Sequence, residues 1–340
     1  MISHSIPFKL FANCIPVKGV QRSTICDLQK QKYHLIPNSL YEILNECDGK
    51  TLSYIFSKYA PDEKIIIEEY FDFLLNEELI FFTNSPEKFP SLKRDWYSPS
   101  IITNAIIDIG KGYKQINYKK IIADLSGLGC KAIQFRCYIN LDDDFLYDLI
   151  QFDSNNRIRD VQLTIKSNSY LNIFFAKLFE LNVRLSYIQV HSHTENTEMS
   201  LSENTQLYNV YFSTTNLNNA SHCGVINSNY FSVNIDTFME SNLFNSCLNK
   251  KIGIDENGEI KNCPTMKNSY GNIMNTDLKQ VLDNASFKEL FDVKKDEIND
   301  CKVCEFRYIC TDCRASFIRQ IDKFDKPEKC NYNPHTATWG

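Results

Sequence analysis

Apolar residues change their spacing along the chain, and the changes divide it into regions. Up to about residue 88, apolar runs broken by turns at 8–17 and 23–36 predict short strands. A helical spacing follows. Leu40, Ile43, Leu44 and Cys47 share one face, with Ser39 placed to cap the helix and Gly49 to end it. Leu52, Ile55, Phe56 and Tyr59 align in a second helix. Ile66, Ile67, Tyr70, Phe73 and Leu74 align in a third that starts at Pro61-Asp62, and 79–82 reads as a closing strand.

Strands, three short helices and a strand predict a winged-helix-like domain over 1–88. Pro86 and Pro90, among polar residues, mark a boundary. From 89 to 240 strand and helix signals alternate: strands at 105–109, 132–138, 161–165 and 184–190, helices at 118–128, 145–152 and 171–181. Further strands are predicted at 208–212 and 231–235, and the polar stretch 191–206, with His191 and His193, as a solvated loop. Asp142-Asp143-Asp144 reads as a helix start, because carboxylates favour a helix N-terminus. Alternation at this spacing implies βαβ units on a mostly parallel sheet, hence an α/β fold with an open or partial (β/α) barrel. The third region, 241–340, has little apolar sequence of its own.

Composition narrows the classes. The 340 residues are 43% hydrophobic, enough for real cores. Net charge is −5 and no Lys or Arg run exceeds two residues, so no nucleic-acid footprint is expected. No secretory signal and no apolar stretch long enough for a membrane span is found, so a cytoplasmic protein with no membrane partner is expected. In that setting cysteines bind metal more readily than they form disulfides. Seven of the 13 cysteines lie between Cys247 and Cys330.

Their order is Cys247-x15-Cys263, a gap, Cys301-x2-Cys304-x5-Cys310-x2-Cys313, a gap, and Cys330. Asn257-Gly258 predicts a tight hairpin between strands at 251–254 and 259–262. C-x2-C spacing lets one turn offer two thiolates to one centre. Sets of four thiolates hold [4Fe–4S] clusters or structural zinc, and spacing does not separate the two.

This pattern resembles the SPASM domain, the C-terminal extension of many radical-SAM peptide-modifying enzymes. The run from Asn245 to Ile252, Ile260-Lys261-Asn262-Cys263-Pro264, and the run from Cys304 to Ala315 are more specifically similar to the SPASM-domain maturases of grasp-with-spasm systems. Those act beside an ATP-grasp ligase on a ribosomally made precursor peptide. The close match covers about 100 residues at the C-terminal end. It implies one or two [4Fe–4S] clusters, with zinc as the alternative. By the family pattern Cys301, Cys304, Cys310 and Cys330 would bind one, and Cys247, Cys263 and Cys313 the other, with its fourth ligand missing. Cys310 and Cys313 are separated by two residues where the family has three, and no cysteine closely follows Cys247. Cys223, outside the motif, is either a buried structural cysteine or the missing thiolate.

The radical-SAM triplet C-x3-C-x2-C is absent. The first βαβ strand is followed by Gly110-Lys111-Gly112-Tyr113, and the next cysteine is Cys130. Gln134 to Asn140 also lacks the glycines expected to contact S-adenosylmethionine. The middle region is therefore expected to be a degenerate radical-SAM-like barrel that binds no S-adenosylmethionine. The N-terminal module resembles leader-peptide recognition elements, which bind a peptide as an added strand. That resemblance implies an edge near Ile25, Leu28 and Leu35 and a helix near Leu40 and Leu44. The implied role is a maturation accessory with a precursor peptide and an ATP-grasp ligase as partners. A redox enzyme using an open cluster site and a zinc-stabilised scaffold are the other readings. No catalytic residue is assigned.

Overall fold

The structure, a computed structural model, describes residues 2–153, 155–203, 206–315 and 322–340, without the side chains of 202, 203, 206 and 207. The first region contains β1 (Phe8–Leu10), β2 (Cys14–Val17), β3 (Ser23–Asp27), β4 (Lys32–Ile36), α1 (Asn38–Cys47), α2 (Leu52–Phe56), α3 (Glu63–Asn76) and β5 (Ile80–Phe82). Each predicted apolar run breaks into two strands. β3 is the centre of an antiparallel sheet, between β2 and β4, while β1 pairs with β5.

All five β3 residues are buried because both faces of the strand are covered. Alternation sends Ile25, with Cys14 and Ile36, into the core under the helices. It sends Cys26, with Ile15, Val17 and Leu28, against Phe306, Tyr308 and Ile309 of the cysteine-rich region. The expected peptide contacts change accordingly. Ile25, Leu40 and Leu44 are core residues, and Leu28 is sealed against the cysteine-rich region. Of the five, only Leu35 is exposed, at 45%, on the outer strand β4.

The middle region runs β6 (Asn104–Ile109), α4 (Tyr118–Gly127), β7 (Ala132–Cys137), α5 (Asp143–Ile150), β8 (Asp160–Lys166), α6 (Asn172–Leu181) and β9 (Leu185–His191). These strands pair in parallel and in chain order. Parallel strands paired in chain order with a helix between each follow the winding of a (β/α) barrel. The polar stretch after β9 holds a strand instead of only a loop. β10 (Thr197–Glu203) pairs antiparallel with β11 (Gln206–Phe212), which runs parallel to β9. Met199 and Leu201 alternate with polar residues and pack on the core; residues 204 and 205 of this stretch lie outside the described residues. The strand predicted at 231–235 is absent. Asn234 accepts a hydrogen bond from Thr237 N (2.9 Å) and caps α7 (Ile235–Leu243) there.

Beyond residue 241 the chain returns to the same sheet. β12 (Lys251–Ile254) lies parallel to β6, and a hairpin through Gly258, at φ +81°, leads to β13 (Ile260–Lys261). The full order is β10-β11-β9-β8-β7-β6-β12-β13, an open, mostly parallel sheet. α8 (Leu278–Asp283) and α9 (Ala285–Lys288) add Leu278 and Phe287 to the core that holds Ile107, Phe135 and Ile252. A short pair, β14 (Tyr332–Asn333) and β15 (Thr338–Trp339), closes the described chain. Among the described residues no helix is long and apolar enough to cross a membrane.

The cysteine-rich region is thus built into the central core. Ile252→Ala, at a fully buried position, should cost about 2–5 kcal/mol. Ile173→Ala, at a position 75% exposed, should stay within about 0.5 kcal/mol. Urea unfolding midpoints of the two variants check this.

Candidate metal centres

Parallel sheets present their sites at the carboxyl ends of the strands. Here that edge carries a buried ion pair. Asp108 near the end of β6 stands in register with Arg136 near the end of β7. Arg136 donates through Nε (2.6 Å) and Nη2 (2.9 Å), and Tyr138 Oη donates to the same carboxylate at 3.0 Å. Burial pushes the Asp108 carboxyl up to about 6, against the pull of Arg136. Burial also works against the Arg136 charge, yet Asp108 holds the guanidinium above its ordinary range. The segment after β6, where a radical-SAM triplet would stand, turns tightly through Tyr113–Gln115. It packs against the loop between β12 and β13: a Cβ on Gly110 would lie 2.8 Å from Glu256 Cβ. His191 is fully buried at the end of β9, with Nε2 2.9 Å from the Cys137 carbonyl, and is not solvated as its polar neighbours suggested.

Four of the seven motif cysteines gather at one place. Cys301, Cys304, Cys310 and Cys330 line one small pocket, together with Lys295 and Phe306. The C-x2-C turn is a single 3-10 turn, Cys301–Val303, in which Cys304 N donates to Cys301 O at 3.0 Å. Lys295 is 4% exposed and its ammonium donates to the Cys310 carbonyl. Burial would discharge this lysine, but the neighbouring Cys310, Asp312 and Cys301 hold it above its ordinary range. Burial pushes the thiols the other way: Cys304 rises to about 12, and Cys301 and Cys310 are also raised. Without metal these sulfurs keep their protons, so metal binding must release them.

The other three motif cysteines meet at the start of β12. Asn245 Oδ1 accepts from Cys247 N (3.0 Å) and Leu248 N (2.9 Å), fixing the turn that carries Cys247. Cys263 follows β13. Lys251, on β12, donates to Cys247 Sγ at 3.7 Å. Burial lowers the Lys251 ammonium, and Cys247, Cys263 and Cys223 together raise it above its ordinary range. Burial pushes Cys313 up to about 11, with Cys247 and Cys223 adding to it. Cys223 therefore stands among these three. The neighbouring Cys263 favours the thiolate at Cys223, and Arg136 and Lys251 favour it further; the Cys263 sulfur itself donates to Thr265 Oγ1 at 3.8 Å.

Each constellation is sulfur-rich and encloses a lysine, the donor set of an iron–sulfur or zinc site. Among the described residues no three Cys, His, Asp or Glu side chains are placed to hold a single metal ion. One zinc at about 2.3 Å from each thiolate would draw four sulfurs to roughly 3.8 Å from one another. A [4Fe–4S] cluster puts each thiolate on a different iron and spaces them more widely.

No protein-family model matches the chain, and no curated protein matches it. Among solved structures it is similar to the crystal structure of Streptococcus suis SuiB bound to S-adenosylmethionine. Identity is 12%, over 96% of this chain and 98% of that one, at a TM-score of 0.33. A likeness this slight carries no weight, and the fold rests on its own strand order.

Several site residues escaped the sequence reading. Lys251 lies inside the Asn245–Ile252 run, Lys295 lies in a stretch without a motif, and Arg136 and Asp108 lie inside strand signals. The usable cue was charge at the last turns of apolar strands. Arg136→Met should destabilise the protein by about 3–5 kcal/mol, because it strands the Asp108 carboxylate in the interior. Adding Asp108→Asn should restore a large part of that loss, which a double-mutant cycle on unfolding free energies will read out.

Proposed function

We propose that this protein is an accessory of peptide maturation whose SPASM-type region holds iron–sulfur clusters. It would bind a ribosomally made precursor peptide and work with an ATP-grasp ligase, without S-adenosylmethionine chemistry. The observation that carries this reading is the convergence of Cys301, Cys304, Cys310 and Cys330 on one pocket beside buried Lys295. The second gathering, around Lys251, supports it. When bound, a cluster there supplies electron-transfer capacity and a rigid cross-link between distant segments. The chain's own residues do the rest. Lys251 and Lys295 supply positive charge beside the thiolates, and the Asp108–Arg136 pair occupies the strand ends.

In this reading the winged-helix-like domain recognises the precursor leader. β2 and β4 are the outer strands of its sheet, and β2 carries Ile15 and Val17, which are packed on the cysteine-rich region. β4 is the outer strand that exposes Leu35, and it lies beside α3 through His34 and Phe73, whose ring centroids are 5.8 Å apart. A leader strand added to β4 would gain backbone hydrogen bonds there and contact Leu35.

Anaerobic purification followed by iron, sulfide and zinc analysis tests the metal. Iron with matching acid-labile sulfide is expected; a colourless protein with zinc and no sulfide would sink the cluster reading. A short peptide encoded beside the gene of this chain and an ATP-grasp gene is the probe for recognition. In fluorescence anisotropy Leu35→Asp should weaken its binding by about tenfold or more, the effect of losing one apolar contact and adding a charge. Unchanged affinity would remove β4 as the docking strand.

A further inference from the structure

We propose that Cys223 is the fourth thiolate of the Cys247, Cys263 and Cys313 site, so that this second centre is fully ligated by protein. The assignment rests on the iron–sulfur reading above and goes beyond it, since the family pattern leaves the fourth position empty here.

The placement of Cys223 comes from its loop. After β11 the chain leaves the sheet and returns through a 3-10 turn at Ala220–His222 that is fastened at several points. Thr265, two residues after Cys263, donates through Oγ1 to the Ala220 carbonyl at 3.1 Å. Lys329 Nζ donates to the Cys223 carbonyl at 2.6 Å and also to the Ser221 carbonyl. These contacts hold the loop between the Cys263 segment and the segment that carries Cys330. The next residue, Gly224, has φ +84°, and a Cβ there would lie 2.5 Å from Cys313 Sγ. Only glycine leaves room for that sulfur, and the backbone bends around it. The Cys223 loop is tied on one side to Thr265, just beyond Cys263, while its own chain cradles Cys313 on the other. Cys247 completes the group beside Lys251. Two positive side chains, Arg136 and Lys251, face the Cys223 sulfur.

Four thiolates supply the full protein ligand set of a [4Fe–4S] cluster. A centre so ligated offers no vacant iron to a substrate. Its role is then structural or electron-transferring, which disfavours a reaction at an open iron site.

The test uses the full chain, reconstituted anaerobically with iron and sulfide. Wild type, Cys223→Ser, Cys313→Ser, Cys301→Ser and Cys130→Ala are compared by iron and sulfide content and by electron paramagnetic resonance after reduction. Cys130 is a buried cysteine outside both groups and controls for loss of a core thiol. Cys223→Ser and Cys313→Ser should each lower or alter the same half of the signal, about a twofold loss of iron if that cluster falls out. Cys301→Ser should affect the other half, and Cys130→Ala neither. Gly224→Ala keeps every thiol but drives a methyl onto Cys313, and should disturb the same signal as Cys223→Ser. Circular dichroism of the metal-free proteins identifies any variant that has not folded. If Cys223→Ser retains both signals unchanged while Cys313→Ser loses one, Cys223 is not a ligand, whatever Gly224→Ala does through Cys313. A wild-type protein that takes up no iron and sulfide overturns the cluster reading itself, and this assignment with it.

Discussion

An ammonium group taken out of water must find polar partners, and in this protein two of them stand among sulfurs. Lys295 sits among Cys301, Cys310 and Asp312, and Lys251 among Cys247, Cys263 and Cys223. An isolated buried lysine would lose its proton, and isolated buried thiols would keep theirs. Placed together, each favours the charged form of the other. A thiolate shell around a bound metal centre would carry net negative charge, and a fixed cation beside it would offset part of the desolvation that loading costs. The rest of the architecture serves to bring these groups together: β12 delivers Lys251 to the sheet edge, and the segment after α9 delivers Lys295 to the pocket.

The N-terminal module is fastened to the same machinery. Glu305, between Cys304 and Phe306, is fully buried. Arg22 pairs with its carboxylate at 2.8 Å, Tyr332 donates to it, and Thr24 donates to its backbone carbonyl at 2.9 Å. Phe306 meets Tyr33 edge-on at 5.5 Å. One face of the small sheet is therefore committed to the pocket wall. A peptide arriving on β4 would dock on a body already joined to that pocket.

Periodicity made much of this legible. The parallel strands and their helices stood out because strands buried on both faces read as continuous apolar runs and the helices as amphipathic stripes. Asn257-Gly258 announced its hairpin because few other pairs adopt that turn. β10 was hidden because it alternates weakly at the sheet margin, and α7 because Asn234 caps a segment whose first residues look like strand. Ile25 and Leu28 were assigned to a peptide because an apolar strand looks the same whether a partner or the rest of the chain covers it. Cys223 stood apart because ligand spacing registers only cysteines close in sequence. The fastening of its loop by Thr265 and Lys329 is a three-dimensional fact with no local signature.

Lys329 precedes Cys330 in the chain, and its side chain reaches across to the carbonyls of Ser221 and Cys223. Its chain neighbour Cys330 lines the first pocket, while the Lys329 side chain fastens the loop that carries Cys223. The two sulfur groups are thus joined through two consecutive residues. The backbone that places Cys330 and the side chain that fastens the Cys223 loop are therefore neighbours in the chain, so the position of one sulfur constrains the position of the other.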